Sequence, residues 1–420
     1  MEPTPMMFRP TLALSLLLAG GFAAAETSPY YIGVSQGFSH DSNIYRINDN
    51  TLLPSELSKS DTISATSLLA GLDQPIGRQR LFGNARLRSV RFKDNDTLNN
   101  EAYSADVGLD WSTINHLSGT LSAVAAQSLA RYNPGNDVAK VLGKNTERSR
   151  QLDSLIRLGV VTRWTAEAKL SHREVSYSAE EFRPREYSQN VVSGGMRYSA
   201  SGALNVGLAL RRTEGKRPQY RALPDGTFQA DRFERNDLDL TSNWLPSGAS
   251  TINGRISISQ VEHTEAIRRD FSGTTGQLRW LWKPTGKFAL STTVIRDTGE
   301  DVVLVDAEGT DTLASNDLSR TTTALRVKAD YELSAKIALS AGAASARRKL
   351  VDAATFGNGD TLPRDSHDTT TSLNLGARWM PTRSLQLSCD MSRSRRSVSG
   401  VLSDPYSITS YGCTGQFVLQ

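Results

Sequence analysis

The 420-residue chain has only two cysteines and five histidines. No stretch after its first 25 residues approaches the roughly 18 consecutive apolar residues that a membrane-spanning helix requires. Two lone cysteines make neither a zinc site nor a disulfide-dense scaffold. The histidines His40, His116, His172, His263 and His367 are scattered. Ser171-His172 sets a nucleophile beside a base, but neighbours along a strand point to opposite faces, so they form no dyad. HExxH, P-loop and Rossmann fingerprints are missing, as are Gly-Ser and Pro-rich tracts. The net charge is +4, but the basic residues are dispersed without aromatic stacking platforms, which argues against nucleic acid as a partner. These absences predict no enzyme, no metal and no cofactor.

What the chain does have is alternation from end to end, with no linker dividing it. Before Trp111 the odd positions are Tyr103, Ala105, Val107 and Leu109 and the even ones Ser104, Asp106, Gly108 and Asp110. A period of two is the signature of a strand. All six tryptophans, Trp111, Trp164, Trp244, Trp280, Trp282 and Trp379, lie at the downstream end of such a segment, on its apolar parity, beside a short polar turn. A single tryptophan so placed reads equally well as core. Six in agreement read as an aromatic girdle at a membrane-water boundary, on the periplasmic side.

The N-terminus carries an export pattern. Arg9 precedes the apolar run Thr11 to Leu18, and Ala23-Ala24-Ala25 predicts cleavage before Glu26. Residues 1–25 are thus predicted to be a secretory signal peptide, with Met6 and Met7 as alternative starts, and residues 26–420 a single domain. A chain without spanning helices can satisfy its backbone in lipid only as a closed sheet. The fold predicted is an all-β, transmembrane, antiparallel up-and-down β-barrel of the outer-membrane type, with about 18 strands and 16 as the alternative. A soluble secreted all-β protein is the competing reading.

The strands are predicted to begin near Tyr30, Ser60, Arg78, Glu101, His116, Glu147, Thr165, Glu186, Gly202, Asp231, Ser250, Arg269, Lys287, Asn316, Ala335, His367, Ser384 and Pro405. Short turns then alternate with longer polar loops, among them Ser39 to Lys59, Arg131 to Thr146, Thr213 to Ala230, Thr298 to Ser315 and Lys349 to Ser366. Short turns inside and long loops outside are the outer-membrane asymmetry. An upper girdle is less regular: Tyr103 and Tyr411 have lipid parity, but Phe271 does not unless a bulge intervenes.

Opposite the apolar stripe the same strands carry charge. Parity assigns to the lumen Arg80, Arg86, Arg88, Arg157, Arg163, Lys169, Arg197, Arg211, Arg255, Arg279, Arg326 and Lys328, interspersed with Asp106, Asp110, Asp153, Glu167, Asp237, Asp239, Asp330 and Asp390. Arg or Lys facing lipid at the midplane costs about 2 to 4 kcal/mol, so these side chains must meet water or one another. A barrel of this size has room for an aqueous channel. Either the basic excess favours anionic solutes or the charges pair within a rigid wall.

The cysteines share the outward parity: Cys389 goes with Leu385, Leu387 and Met391, and Cys413 with Tyr411, Phe417 and Leu419. A hairpin centred near Val401 sets them opposite each other, where a cross-strand disulfide is geometrically allowed. Two free thiols are the alternative.

Four segments give the chain a resemblance to a known family. They are Asp41-Ser42-Asn43-Ile44-Tyr45-Arg46 after the first strand, Leu72-Asp73-Gln74-Pro75-Ile76-Gly77-Arg78-Gln79-Arg80 across the first short turn, Trp111 with Leu117-Ser118-Gly119 across the second, and the Cys413 to Gln420 ending. In their order and spacing, the chain resembles the exopolysaccharide-biosynthesis outer-membrane barrels associated with exosortase B, the EpsL type. The resemblance covers the whole predicted mature chain. It implies a Gram-negative outer-membrane location and a role in moving or assembling an exopolysaccharide beside a periplasmic export apparatus, and it supplies no catalytic residues. The last residue, Gln420, departs from the aromatic terminus usual in outer-membrane barrels, with Phe417 the nearest. The partners implied are outer-membrane lipid and lipopolysaccharide, the polymer with its export components, and the barrel-assembly machinery. A general or anion-preferring porin and a non-conducting docking barrel are the alternative functions.

Overall fold

The computed structural model describes residues 28–420 except 115, 131, 133–141, 160–161, 224, 299–302, 305–312, 315–318 and 356–360. The predicted signal peptide lies outside these residues. Eighteen strands form one sheet: β1 (Tyr30–Asp41), β2 (Asp61–Ile76), β3 (Gln79–Phe92), β4 (Asn100–Ser112), β5 (Leu117–Leu129), β6 (Thr146–Leu158), β7 (Trp164–Tyr177), β8 (Tyr187–Ser201), β9 (Leu204–Ala222), β10 (Phe228–Ser247), β11 (Ser250–His263), β12 (Phe271–Trp282), β13 (Phe288–Asp297), β16 (Ser319–Glu332), β17 (Ile337–Thr355), β18 (Thr361–Trp379), β19 (Leu385–Ser399) and β20 (Tyr406–Leu419). A separate two-stranded ribbon, β14 (Val303–Leu304) and β15 (Leu313–Ala314), lies in the connection between β13 and β16.

Each strand of the sheet pairs antiparallel with the next, and β1 pairs with β20 from Ile32↔Leu419 to Asp41↔Ser410. That seam leaves no edge, so the ladder satisfies the backbone all the way round. The fold is a closed antiparallel barrel with eighteen strands. One end carries turns of two to five residues; at the other the connections run from five residues, at β9–β10 and β17–β18, upward, with 19 at β1–β2.

The two faces separate by parity. Outward on β9 are Leu208 and Leu210, on β11 Ile256 and Ile258, and on β18 Leu373 and Leu375, all at least half exposed. Polar groups on this face bind one another: Gln36 donates to Ser64 and accepts from Thr66, and His172 contacts Asn190 at 2.8 Å, while Ser171 points inward. Outward apolar positions on β9 run from Leu204 to Leu210 before Arg212. With the tilt of barrel strands such a run makes a belt about 15 Å tall. The tryptophans mark its short-turn edge. Trp164, Trp244 and Trp379 are roughly half exposed, Trp280 and Trp282 stack at 6.0 Å, and Trp164 packs on Tyr198 at 4.7 Å. Phe271 has inward parity and is buried, so it takes no part in an upper girdle; Tyr411 faces outward.

Cys389 and Cys413 pair directly across β19 and β20 and are joined by a disulfide with Cα atoms 4.1 Å apart. The bond lies on the lipid face, one strand from the seam.

Two predicted loops are strand instead. The segment Thr213 to Ala230 continues β9 and β10 up to the pair Phe228↔Ala222, and Lys349 to Ser366 continues β17 and β18 up to Thr355↔Thr361. Consequently β18 begins six residues before His367. These hairpins rise above the belt, where the inward face packs polar groups such as Thr213, Arg217, Asp231 and Asp368 and the hydrophobic alternation that betrays a strand is absent. Pro218 lies where the β9 ladder breaks, between Arg217↔Asp231 and Arg221↔Gln229, because proline has no N–H to contribute. The predicted start at Asn316 falls outside the described residues.

Candidate passage and its mouth

The inward parity of the wall carries Arg80, Arg86 and Arg88 on β3, Asp106 and Asp110 on β4, Asp153 and Arg157 on β6, Glu167 and Lys169 on β7, and Arg197 on β8. It continues with Arg211 on β9, Asp237 and Asp239 on β10, Arg255 on β11, Arg279 on β12, Arg326, Lys328 and Asp330 on β16, and Asp390 on β19. Arg163 lies one residue before β7, in the exposed short turn, where its carbonyl accepts from the Ser199 amide at 2.8 Å and continues the register of Trp164↔Tyr198.

Much of this charge is paired in place. Arg80 bridges Asp73 at 2.7 Å and Asp110 at 3.5 Å. Glu167 receives Arg157 at 3.2 Å and also Arg197. Lys169 approaches Asp153 at 3.5 Å, and Lys328 approaches Asp330 at 3.7 Å. These groups are partly exposed, as a wetted wall requires. Arg86, Arg88 and Arg279 are exposed and have no carboxylate partner among the described residues. Arg86 and Arg88 stand two residues apart on one face of β3. Their neighbours across the ladder are Leu69 and Ser67 on β2, and Ser104 and Ala102 on β4.

From β9 to β13 the charges are instead buried. Arg235 binds Asp237 and Asp297, both at 2.8 Å. Arg211 binds Asp237 at 3.1 Å and Asp239 at 3.0 Å, and Arg255 binds Asp297 at 3.1 Å. Ser257 donates to Asp239 and Ser259 to Asp237, and the Thr298 carbonyl accepts from Arg235 at 3.3 Å. The Asp237 side chain is fully buried and Arg235 is 5% exposed. Three guanidiniums and three carboxylates thus interlock in one network, the arrangement in which desolvated charges are tolerated. Sequence reasoning named Arg211, Asp237, Asp239 and Arg255 but missed Arg235 and Asp297. Arg235 shares the inward parity of Asp237, which was the available signal; Asp297 sits at the last residue of its strand.

The long-loop end is built over. Asn43, fully buried, donates to the carbonyls of Ile47 at 2.7 Å and Ser407 at 3.0 Å, and its side-chain oxygen accepts from the Ile47 amide. Ser42 continues the β1 to β20 pairing through Thr409. Arg46 adopts φ +54° and binds Asp41 at 2.9 Å. This fold of the β1–β2 connection buries Ile44, Tyr45 and Ile47 against Leu98 and Tyr132 from the next two long connections. The Tyr45 and Tyr132 rings meet edge-on at 5.0 Å, and the Tyr45 hydroxyl donates to Asn95, which donates to Asp61 at 2.7 Å. Burial, and secondarily the Asp61 charge, pushes the Tyr45 hydroxyl up to about 12.

Farther round the rim a one-turn helix, Ile267–Arg269, sits in the β11–β12 connection. Arg269 lies over the Tyr220 ring near the β9 tip at 5.6 Å, and Arg268 binds Asp365 of β18 at 2.8 Å. The two tall hairpins are therefore tied together across the intervening strands. Leu350 and Leu402 form a further buried contact, joining β17 to the β19–β20 connection, where Ser403 and Arg348 both bind Asp368.

Among the described residues, no three or more His, Cys, Asp or Glu side chains gather as metal ligands. No family model matches the sequence, and no curated protein matches it. Solved barrels resemble the fold. The siderophore receptor PirA from Acinetobacter baumannii is 8% identical, with 94% of this chain and 81% of that one covered and a TM-score of 0.45. OccK5 (OpdH) from Pseudomonas aeruginosa is 8% identical, covering 93% and 98% at 0.45. OccK1 (OpdK) from the same organism is 10% identical, covering 93% and 99% at 0.46. At this distance the likeness carries no functional argument.

Proposed function

We propose that this barrel resides in the Gram-negative outer membrane and serves exopolysaccharide export, with the polymer driven by a periplasmic apparatus and the wall supplying a wet path. One observation carries the reading. The Asp41 to Arg46 segment, which bears the resemblance to the EpsL type, builds the capped mouth through Asn43, Tyr45 and Arg46 instead of hanging as an idle loop. The wall beneath it presents hydroxyls, amides and paired charges, groups suited to exchanging hydrogen bonds with a hydrated sugar chain. Lipopolysaccharide, the export components and the barrel-assembly machinery are the partners this role entails.

Deletion of the chain in its own cell tests the proposal. Polymer should continue to be synthesised, disappear from the surface and accumulate in the periplasm. Unchanged surface polysaccharide with normal synthesis overturns the role.

A second reading, an anion-preferring passage for small solutes, is favoured by the unpaired Arg86, Arg88 and Arg279. The purified barrel in a planar bilayer would then conduct without any secretion partner, with a reversal potential displaced toward anions. A silent barrel removes this reading.

A further inference from the structure

At the upper edge of the apolar belt the outward rim has two different sectors. Between β3 and β10 carboxylates stand among its cations, although Arg148 and the opposed pair Lys216 and Arg232 have no carboxylate partner among the described residues. Arg91 binds Glu101 at 2.6 Å, Arg150 stands opposite Glu174 in the ladder, and Arg212 binds Glu214 at 2.8 Å and Glu234 at 2.7 Å. Between β17 and β19 the cations stand alone. Arg347 and Lys349 on β17, and Arg393 and Arg395 on β19, have outward parity, and none has a carboxylate partner among the described residues.

The register brings them together. Arg347 pairs with Thr369, Arg395 with Thr371 and Arg393 with Leu373, so the two arginine-bearing strands flank a column of threonines on β18. Strands about 4.8 Å apart put those strands about 10 Å from each other, close enough for guanidinium arms from both to converge over the threonine hydroxyls. Arg393 sits level with Leu373, which is 62% exposed, and follows Met391, which is 50% exposed. The cluster therefore begins where acyl chains end. A guanidinium at that depth is partly removed from water and has no protein anion to neutralise it.

We propose that this sector is a binding site for a phosphate group carried by an outer-leaflet lipid, held by Arg347, Arg393 and Arg395 with Thr369 and Thr371 as further donors. Arginine offers a planar fork that matches two phosphate oxygens at once. A lipid-borne phosphate alone satisfies both halves of the surface, since its acyl chains lie along Leu373, Leu375 and Met391 while the anion reaches the arginines. The sector between β3 and β10 carries Glu101, Glu174, Glu214 and Glu234 among its cations and should lack such a site.

Native mass spectrometry of the full chain in detergent, titrated with bisphosphorylated lipid A, tests the site. The triple variant Arg347→Ala/Arg393→Ala/Arg395→Ala should lose about tenfold or more in affinity. The control Arg91→Ala/Arg212→Ala should leave it unchanged, as should each protein's heat-modifiable migration. Lipid A stripped of both phosphates should bind the wild type as weakly as the complete lipid binds the triple variant. Equal binding by the triple variant and the wild type overturns the proposal, and so does equal binding of the stripped lipid. Displacement by millimolar inorganic phosphate overturns it too, by making the site one for a free anion. Should the triple variant fail to insert, the single arginine-to-alanine variants take its place against arginine-to-lysine counterparts. A graded loss to alanine that lysine partly rescues is then expected, and a flat series overturns the site.

Discussion

Replacing both cysteines, Cys389→Ser with Cys413→Ser, isolates the contribution of the one covalent cross-link. The residues are 24 apart in sequence, and closing a loop of that length removes about 3.5 kcal/mol of chain entropy from the unfolded state. That corresponds to about 300-fold in the unfolding equilibrium. The folded state should lose little, because the two positions are already register partners in the ladder between β19 and β20 and serine fits the same site. Denaturant titration of the vesicle-inserted barrel, followed by tryptophan fluorescence and by heat-modifiable gel mobility, gives the free energy. The oxidised wild type should exceed the double variant by about 3 kcal/mol, and chemical reduction of the wild type should abolish the difference. A gap below about 0.5 kcal/mol would refute the reasoning, since it would mean that the last hairpin stays ordered when the rest unfolds.

Three further outcomes are expected. Arg235→Ala leaves three carboxylates sharing Arg211 and Arg255 in a largely buried site and should cost about 3 kcal/mol, measured by the same titration; a loss under 1 kcal/mol would mean that water reaches the network. Tyr45 ionises near 12 in the folded chain against 10.0 for its ordinary value, so its contribution to the capped mouth is complete below pH 10 and fades between pH 10 and 12. Proteolysis of the β1–β2 connection should accelerate across that interval, and a cap that opens near pH 8 contradicts the assignment; Tyr45→Phe should lose the Asn95 bond, about 1 kcal/mol. Arg86→Glu with Arg88→Glu should move the permeability ratio of an open barrel toward cations, and an unchanged reversal potential would show that ions do not pass this part of the wall.

Strand number and closure were legible in the sequence because lipid on one side and water on the other impose a period of two. Where that contrast ends, so does the signal. The upper halves of β9, β10, β17 and β18 are largely polar even where they are buried, as at Thr213, Arg217, Asp231 and Asp368, and they read as loops although their ladders continue. Inward charges were legible by the same parity, with Arg163 one residue outside its strand. The capped mouth was not legible. Ile44, Tyr45 and Ile47 have no periodicity of their own and find Leu98 and Tyr132 only through the closed sheet. The pairing within the buried network was hidden for a related reason: side chains of Arg235 and Asp297 meet over two intervening strands, and no local spacing reports that.

The tie from the β9 tip through Arg269 and Arg268 to Asp365 works as a crossbar over part of the opening. The rim in that stretch behaves as a single stiffened frame, in place of separate fingers that bend on their own.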